Sequence, residues 1–259
     1  MITARIAIIG GIGFDSNFLE GTNKRLGTRY GPSPILTIGR ISGKNVVFLP
    51  RHGKRHTLPP HRINNRANIF TLHSLGVERI LATNVVGAIN PKYEPGDVVI
   101  PNDFIDFTKS RPFTFYDDAP VTHVDVSEVY CPELRKIISQ AAEKCDETVW
   151  TNAIYLCTEG PRYESPAERR MFRTFGCDVV GMTGIPEAVL AHELSMCYAT
   201  ICLVSNVATR TQERISAEKI VEKSKTFKKT MRGILKETIK SISNKKTCTC
   251  ANSLEGARV

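Results

Sequence analysis

No stretch of the 259-residue sequence approaches the roughly 20 consecutive apolar residues that a membrane-spanning helix requires. A signal peptide is not read either, because Met1 to Ala4 runs directly into the strand-like stretch Arg5–Ile9. The expectation is a cytoplasmic protein. Internal repeats and low-complexity linkers are also missing, which argues against a solenoid or a string of tethered modules. No phosphate-loop lysine motif occurs, so any phosphate must be held by other means.

Acidic residues are the scarcer charge, 26 against 35 basic, leaving a net charge of +9. Such an excess suits an anionic partner such as nucleic acid, phosphate or a nucleotide. Much of it lies between Lys219 and Lys246, interleaved with Glu218, Glu222 and Glu237 and with apolar Ile220, Phe227, Met231, Ile234 and Leu235. That pattern reads as an amphipathic helix with a solvated basic face rather than a nucleic-acid footprint.

The length and the 41% hydrophobic content suffice for one large core. A single domain is expected over 1–246, followed by a polar tail at 247–259. Eight cysteines are present, and Cys248 and Cys250 fall in that tail, where no core is expected to bury them. Zinc is disfavoured because this Cys-x-Cys has no partner pair at zinc-finger spacing. A disulfide is preferred, as occurs inside cells of hyperthermophiles, whose Lys-rich composition this chain shares. The candidates are Cys131, Cys197, Cys202, Cys248 and Cys250.

Strand-like runs alternate with helix-like ones, an α/β pattern. Strands are expected at 5–9, 35–41, 45–50, 79–86, 97–106, 153–158, 178–183 and 199–206. Helices are expected at 64–75, 132–144, 166–175, 186–195 and 216–243. Ser165–Pro166–Ala167–Glu168 reads as an N-cap, a first-turn proline and a capping-box glutamate, placing Glu164 at the end of a loop. The strands near Val85, Thr183 and Asn206 also end in turns or helix starts, and in open α/β sheets ligands collect at such carboxyl ends.

The first strand ends in Gly10–Gly11–Ile12–Gly13, where an anion can approach the backbone N–H groups around Gly11. As a dinucleotide fingerprint it is incomplete, since Ser16 stands where a third glycine belongs. Between Pro50 and His61, three histidines and three basic residues follow a strand end. Arg51 is suited to grip phosphate through its planar fork, with His52 as a further donor. Metal binding by these histidines is disfavoured for want of a nearby carboxylate.

Six ordered segments, Ile8–Gly13, Pro50–Gly53, Asn84–Gly87, Asp103–Asp106, Cys157–Arg162 and Gly181–Glu187, resemble purine nucleoside phosphorylases and methylthioadenosine phosphorylases over nearly the whole chain. The resemblance extends to the tail, where Cys248 through Leu254 is similar to the ending of archaeal members. It implies a single-domain α/β fold, a central mixed β-sheet flanked by helices, and a homotrimer or homohexamer with active sites near subunit boundaries. It implies phosphate binding by Arg51, His52, Thr183 and the backbone around Val85. Ribose contact would fall to Met182 and base stacking to Tyr163, while His123 would reach the neighbouring subunit's ribose.

Departures from the family pattern are informative. Ile12 replaces a phosphate-binding serine or threonine, a loss of about 1–3 kcal/mol in phosphate affinity if nothing replaces the donor. Val85 replaces a smaller alanine. Where methylthioadenosine phosphorylases carry Thr-Asp-Tyr-Asp, this chain has Ser205–Asn206–Val207–Ala208; where they carry Arg-Phe-Ser, it has Arg162–Tyr163–Glu164. A glutamate and an asparagine are the pair used by 6-oxopurine phosphorylases. Glu164 can accept from the base N1–H, while Asn206 donates to O6 and accepts from N7–H, a contact that strengthens as the leaving base takes up a proton. Ala217, Ile220 and Val221 resemble the apolar wall for a 5′-methylthio group.

The function expected is therefore phosphorolysis of purine nucleosides, with phosphate as co-substrate and no metal or organic cofactor. Methylthioadenosine phosphorylase is the closest rival. A nucleoside hydrolase and a basic nucleic-acid-binding protein are the others.

Overall fold

The computed structural model describes residues 4–11, 19–54, 56–207, 218, 222 and 228–259. Eleven strands are found among them: β1 (Ile6–Gly10), β2 (Gly21–Lys24), β3 (Gly27–Thr28), β4 (Gly31–Pro32), β5 (Leu36–Ile41), β6 (Lys44–Pro50), β7 (Arg79–Ala88), β8 (Val98–Phe107), β9 (Val149–Thr158), β10 (Val179–Gly181) and β11 (Cys197–Val207). The helices are α1 (Asn65–Ser74), α2 (Pro132–Glu143), α3 (Pro166–Thr174), α4 (Gly184–Glu193) and α5 (Lys228–Ser241). The sequence anticipates eight strands of the sheet, β1 and β5 to β11, within a few residues, but not the exposed edge strand β2 or the β3–β4 hairpin. None of these helices is long and apolar enough to cross a membrane.

Nine strands form one mixed sheet in the order β10-β9-β8-β11-β7-β1-β6-β5-β2, and β10 also pairs antiparallel with β7. The β7–β11–β8–β9–β10 part thus closes on itself, with β1, β6, β5 and β2 extending from it. Strand β1 pairs in parallel with both β6 and β7, so it is internal to the sheet, and all five of its residues are buried. Its side chains divide accordingly: Ala7 and Ile9 join one core cluster, Ile6 and Ile8 the other.

The first cluster takes Ile69 and Leu72 from α1 and Ile185, Ala188 and Leu190 from α4. The second takes Leu134 and Ile138 from α2 and Met231, Ile234, Leu235 and Ile239 from α5. Recurrence at three- and four-residue spacing is what buries one stripe of α5, as its sequence pattern predicts. The earlier part of the expected 216–243 helix lies mostly outside the described residues, as do Ile12, Ala208, Ala217, Ile220 and Val221.

The tail at 247–259 is integrated into the body rather than left in solvent. Thr247 donates to Glu133 through its hydroxyl at 2.8 Å, His123 N–H donates to the Ala257 carbonyl at 2.8 Å, and Val259 N–H donates to the Val121 carbonyl at 3.1 Å. All eight cysteines are free thiols, so the expected disulfide is not formed. Cys250 is buried rather than adrift, because the tail folds back onto the core.

Candidate active site

The carboxyl ends of β1, β6, β10 and β11, together with the carboxyl-terminal half of β7, surround one cleft. Gly11 follows β1, and its N–H donates to Thr83 Oγ1 at 3.0 Å. A Cβ here would lie 2.6 Å from the Thr83 carbonyl oxygen and 3.0 Å from Arg51 Nη1, so only glycine fits.

Arg51 leaves the end of β6 and is 1% exposed. Its Nε and Nη2 donate to the two carboxylate oxygens of Glu187, each at 2.8 Å, and its Nη1 donates to the Thr83 carbonyl at 2.8 Å. Burial works against the guanidinium charge, but the Glu187 carboxylate outweighs it and holds Arg51 above its ordinary pKa. The fork that the sequence assigned to phosphate is thus turned onto a carboxylate. Of the five N–H donors of an arginine, these three bonds account for three, and Arg51 lines the cleft with two remaining.

Glu187 was not singled out from the sequence. A lone acid in the apolar run Ile185–Leu190 was the available signal, since such a charge is rarely buried unpaired. It also accepts from the Tyr198 hydroxyl at 2.7 Å.

His52 is nearly buried, with Nδ1 2.8 Å from the Leu58 carbonyl. Burial, aided by His56 and Arg51, pushes its pKa down to about 3, so the ring is neutral. A carbonyl can only accept, so Nδ1 carries the proton and Nε2 the lone pair. His52 therefore meets a ligand as an acceptor, not as the donor its sequence position suggested.

Thr183 lies at the N-cap of α4 and donates from Oγ1 to Asn84 Oδ1 at 2.7 Å; Asn84 Nδ2 in turn donates to Thr200 at 2.7 Å. The N–H groups of Thr183 and Gly184 point to the Tyr155 hydroxyl, at 3.4 and 3.2 Å. Val85 lines the same cleft from β7.

On the opposite side, the loop after β9 carries Tyr163 and Glu164, both half-buried. The capping box read from the sequence is present, with Ser165 Oγ accepting from Glu168 N–H at 3.2 Å and Glu168 accepting from Ser165 N–H at 2.8 Å. Arg111 pins this loop by donating to the Glu159 carbonyl at 2.7 Å and the Ile185 carbonyl at 3.0 Å. Burial pushes the Glu164 carboxyl above its ordinary range, although Thr158 Oγ1 donates to it at 3.2 Å. Gly160, at φ +63°, lets Met182 Sδ approach to 2.7 Å from where a Cβ would sit.

Asn206 arrives from β11 just past a register shift between Val204 and Asn206 in the pairing with β7. Such a bulge re-aims the following side chain. Ser205 Oγ holds Asn206 Oδ1 at 2.8 Å.

The cleft thus unites Gly11, Arg51, His52, Val85, Tyr163, Glu164, Met182, Thr183 and Asn206 from widely separated segments. His123 is exposed and does not line it. One face carries anion-binding donors and the other a carboxylate beside a carboxamide, an arrangement suited to holding an anion and a heterocyclic base together.

Comparison with known proteins places these residues in a family context. Residues 5–240 match the model of the phosphorylase superfamily. The chain is 48% identical to a probable S-methyl-5′-thioinosine phosphorylase of Methanopyrus kandleri, over 98% of this chain and 99% of that one. It is 45% identical to a 6-oxopurine nucleoside phosphorylase of Pyrococcus furiosus, over 98% of each. Among solved structures, a methylthioadenosine phosphorylase of Schistosoma mansoni in complex with adenine superposes with a TM-score of 0.92 at 30% identity, covering 98% of this chain and 99% of that one.

Proposed function

This chain belongs to the phosphorylase superfamily, and from that premise we propose that it splits the N-glycosidic bond of purine nucleosides with inorganic phosphate, preferring 6-oxopurines. It is a pentosyltransferase, releasing the free purine and ribose 1-phosphate or its 5-methylthio form.

The observation that carries the reading is the presence of Glu164 and Asn206 in the same cleft as Arg51 and Thr183. Phosphate held by the residual Arg51 donors beside the Cβ-free Gly11, and by Thr183 once its hydroxyl turns from Asn84, attacks the anomeric carbon as positive charge develops on the ribose. Glu187 offsets the Arg51 charge, so phosphate is held by aimed hydrogen bonds as much as by net attraction. Neutral His52 accepts the hydroxyl of a monoprotonated phosphate through Nε2. Across the cleft Glu164 accepts from N1–H of a 6-oxopurine, while Asn206 binds O6 and N7. Its N7 contact strengthens as the leaving base gains a proton, and so favours the transition state over the substrate. Orientation and aimed dipoles supply the acceleration, without a covalent enzyme intermediate.

Exposed His123, away from the cleft of its own chain, supports a homotrimer or homohexamer in which it serves a neighbouring copy. The deciding assay follows base release from inosine and 5′-methylthioinosine with and without phosphate. Release that requires phosphate and yields the sugar 1-phosphate is expected. Equal release in its absence would make the protein a hydrolase.

A further inference from the structure

At the far end of the sheet from the cleft, four cysteines from three distant segments meet. Cys131 is the N-cap of α2, Cys197 opens β11, and Cys248 and Cys250 come from the folded-back tail. Their Sγ atoms all lie within 4.8 Å of one another, and Cys197 and Cys248 approach to 3.4 Å. Cys131, Cys197 and Cys250 are buried and Cys248 is half-buried.

We infer that these thiols form a structural tetrathiolate site for a divalent metal ion of the zinc class. A tetrahedral centre with Zn–S near 2.3 Å sets its sulfurs about 3.8 Å apart in every pair. Convergence of all the pairs is what such a centre needs. Two independent disulfides need only two short pairs, each at about 2.05 Å, with no reason for the pairs to crowd together. Sulfur-only donors in a closed four-ligand set select zinc over the hard cations, and leave no open position for catalysis.

The surroundings also suit thiolates. Leu134 N–H, in the first turn of α2, donates to Cys131 Sγ at 3.5 Å, and the positive end of the helix favours a negative sulfur there. Lys246 supplies a positive charge within electrostatic reach of Cys197. Each coordinating thiol releases its proton to solvent as the metal–sulfur bond forms. No redox partner is involved.

The preference for a disulfide over a metal, drawn from the lack of a second local cysteine pair, is reversed by this geometry. The partners of Cys248 and Cys250 are supplied by tertiary structure. Asn206 lies nine positions beyond Cys197 along β11, roughly 30 Å at strand rise. The ion therefore staples the tail to α2 and β11 and has no contact with the reacting atoms.

The full chain, purified anaerobically, is assayed for metal by mass spectrometry. One zinc per chain is expected, and none in the Cys248→Ser, Cys250→Ser double variant. Cobalt titrated into reduced, metal-stripped wild type should give the intense visible bands of tetrahedral cobalt with thiolate charge transfer, saturating at one equivalent. The double variant should keep its phosphorolytic kcat at ambient temperature but lose Tm. Two outcomes overturn the proposal: wild type that holds no zinc and takes up no cobalt when reduced, or anaerobic protein whose mass and thiol count show these cysteines joined as disulfides. Because the cobalt titration uses wild type, it decides the matter even if the variant fails to fold.

Discussion

Arg51 and Glu187 face each other through two 2.8 Å hydrogen bonds, with both side chains wholly shielded from solvent. Removing one member of such a pair strands the other charge and costs about 3–5 kcal/mol. Arg51→Ala should therefore lower Tm as well as raise the phosphate KM. The uncharged pair Arg51→Met, Glu187→Gln keeps an acceptor for Tyr198 and should recover much of the Tm, yet leave the phosphate KM raised. Recovery of both by the pair would show that Arg51 acts only as a structural partner of Glu187. Thermal melts beside phosphate saturation curves make the distinction.

Gly11 permits a test of the backbone side of the phosphate site. Its missing Cβ would press on the Thr83 carbonyl at 2.6 Å, a backbone atom of β7 that cannot swing away. Gly11→Ala should cost about 1–3 kcal/mol through overpacking and raise the phosphate KM by displacing Arg51 Nη1. An unchanged KM, measured at a temperature where the variant is folded, would place the anion elsewhere.

These two positions also show how much the sequence made legible. Gly11 and Arg51 could be placed in the cleft from strand ends, because chain-local chemistry marks them, whereas Glu164 and Asn206 were singled out only through the resemblance to 6-oxopurine phosphorylases. The closure of β10 onto β7, the bulge at Ser205 and the partnership of Arg51 with Glu187 could not, because each depends on residues far apart in the chain. The direction of His52 was misread for the same reason: the Leu58 carbonyl that fixes its tautomer acts by position, not by residue type. Helix boundaries fared well where a cap was explicit, as at Ser165.

His52 carries a consequence for stability. Its folded pKa, about 3, lies below the ordinary value of 6.5, and burial lowers His56 and His192 as well. The unfolded chain therefore binds protons that the folded one does not. Stability should be full above about pH 6.5 and fall as pH drops toward 5, by up to about 1.4 kcal/mol per pH unit for each of the buried His52 and His192 and by less for solvent-exposed His56. Urea midpoints between pH 7.5 and 5 measure this, with the raised Glu164 and Glu193 carboxyls acting in the opposite sense as the pH falls through their folded pKa values. The slope should be shallower in His52→Gln. An equal slope would mean that His52 is solvated and titrates normally.

Base preference is the sharpest test of the cleft, because Glu164 presents an acceptor to N1. A 6-oxopurine offers N1–H there; adenine offers a lone pair, setting two acceptors against each other in a partly dry pocket. A site built around such a hydrogen bond can discriminate by up to about 10⁴ in kcat/KM. Wild type should favour inosine over adenosine, and 5′-methylthioinosine over 5′-methylthioadenosine, and Glu164→Ser with Asn206→Asp should weaken or reverse both preferences. The raised pKa of Glu164 adds a pH signature, since a protonated carboxyl becomes a donor to adenine N1. As pH falls through the raised Glu164 pKa, the inosine-to-adenosine ratio of kcat/KM should fall in wild type and stay flatter in Glu164→Gln, which cannot titrate. Wild-type preference for the adenine member of both pairs at neutral pH would overturn the roles of Glu164 and Asn206 and leave methylthioadenosine as the substrate that fits.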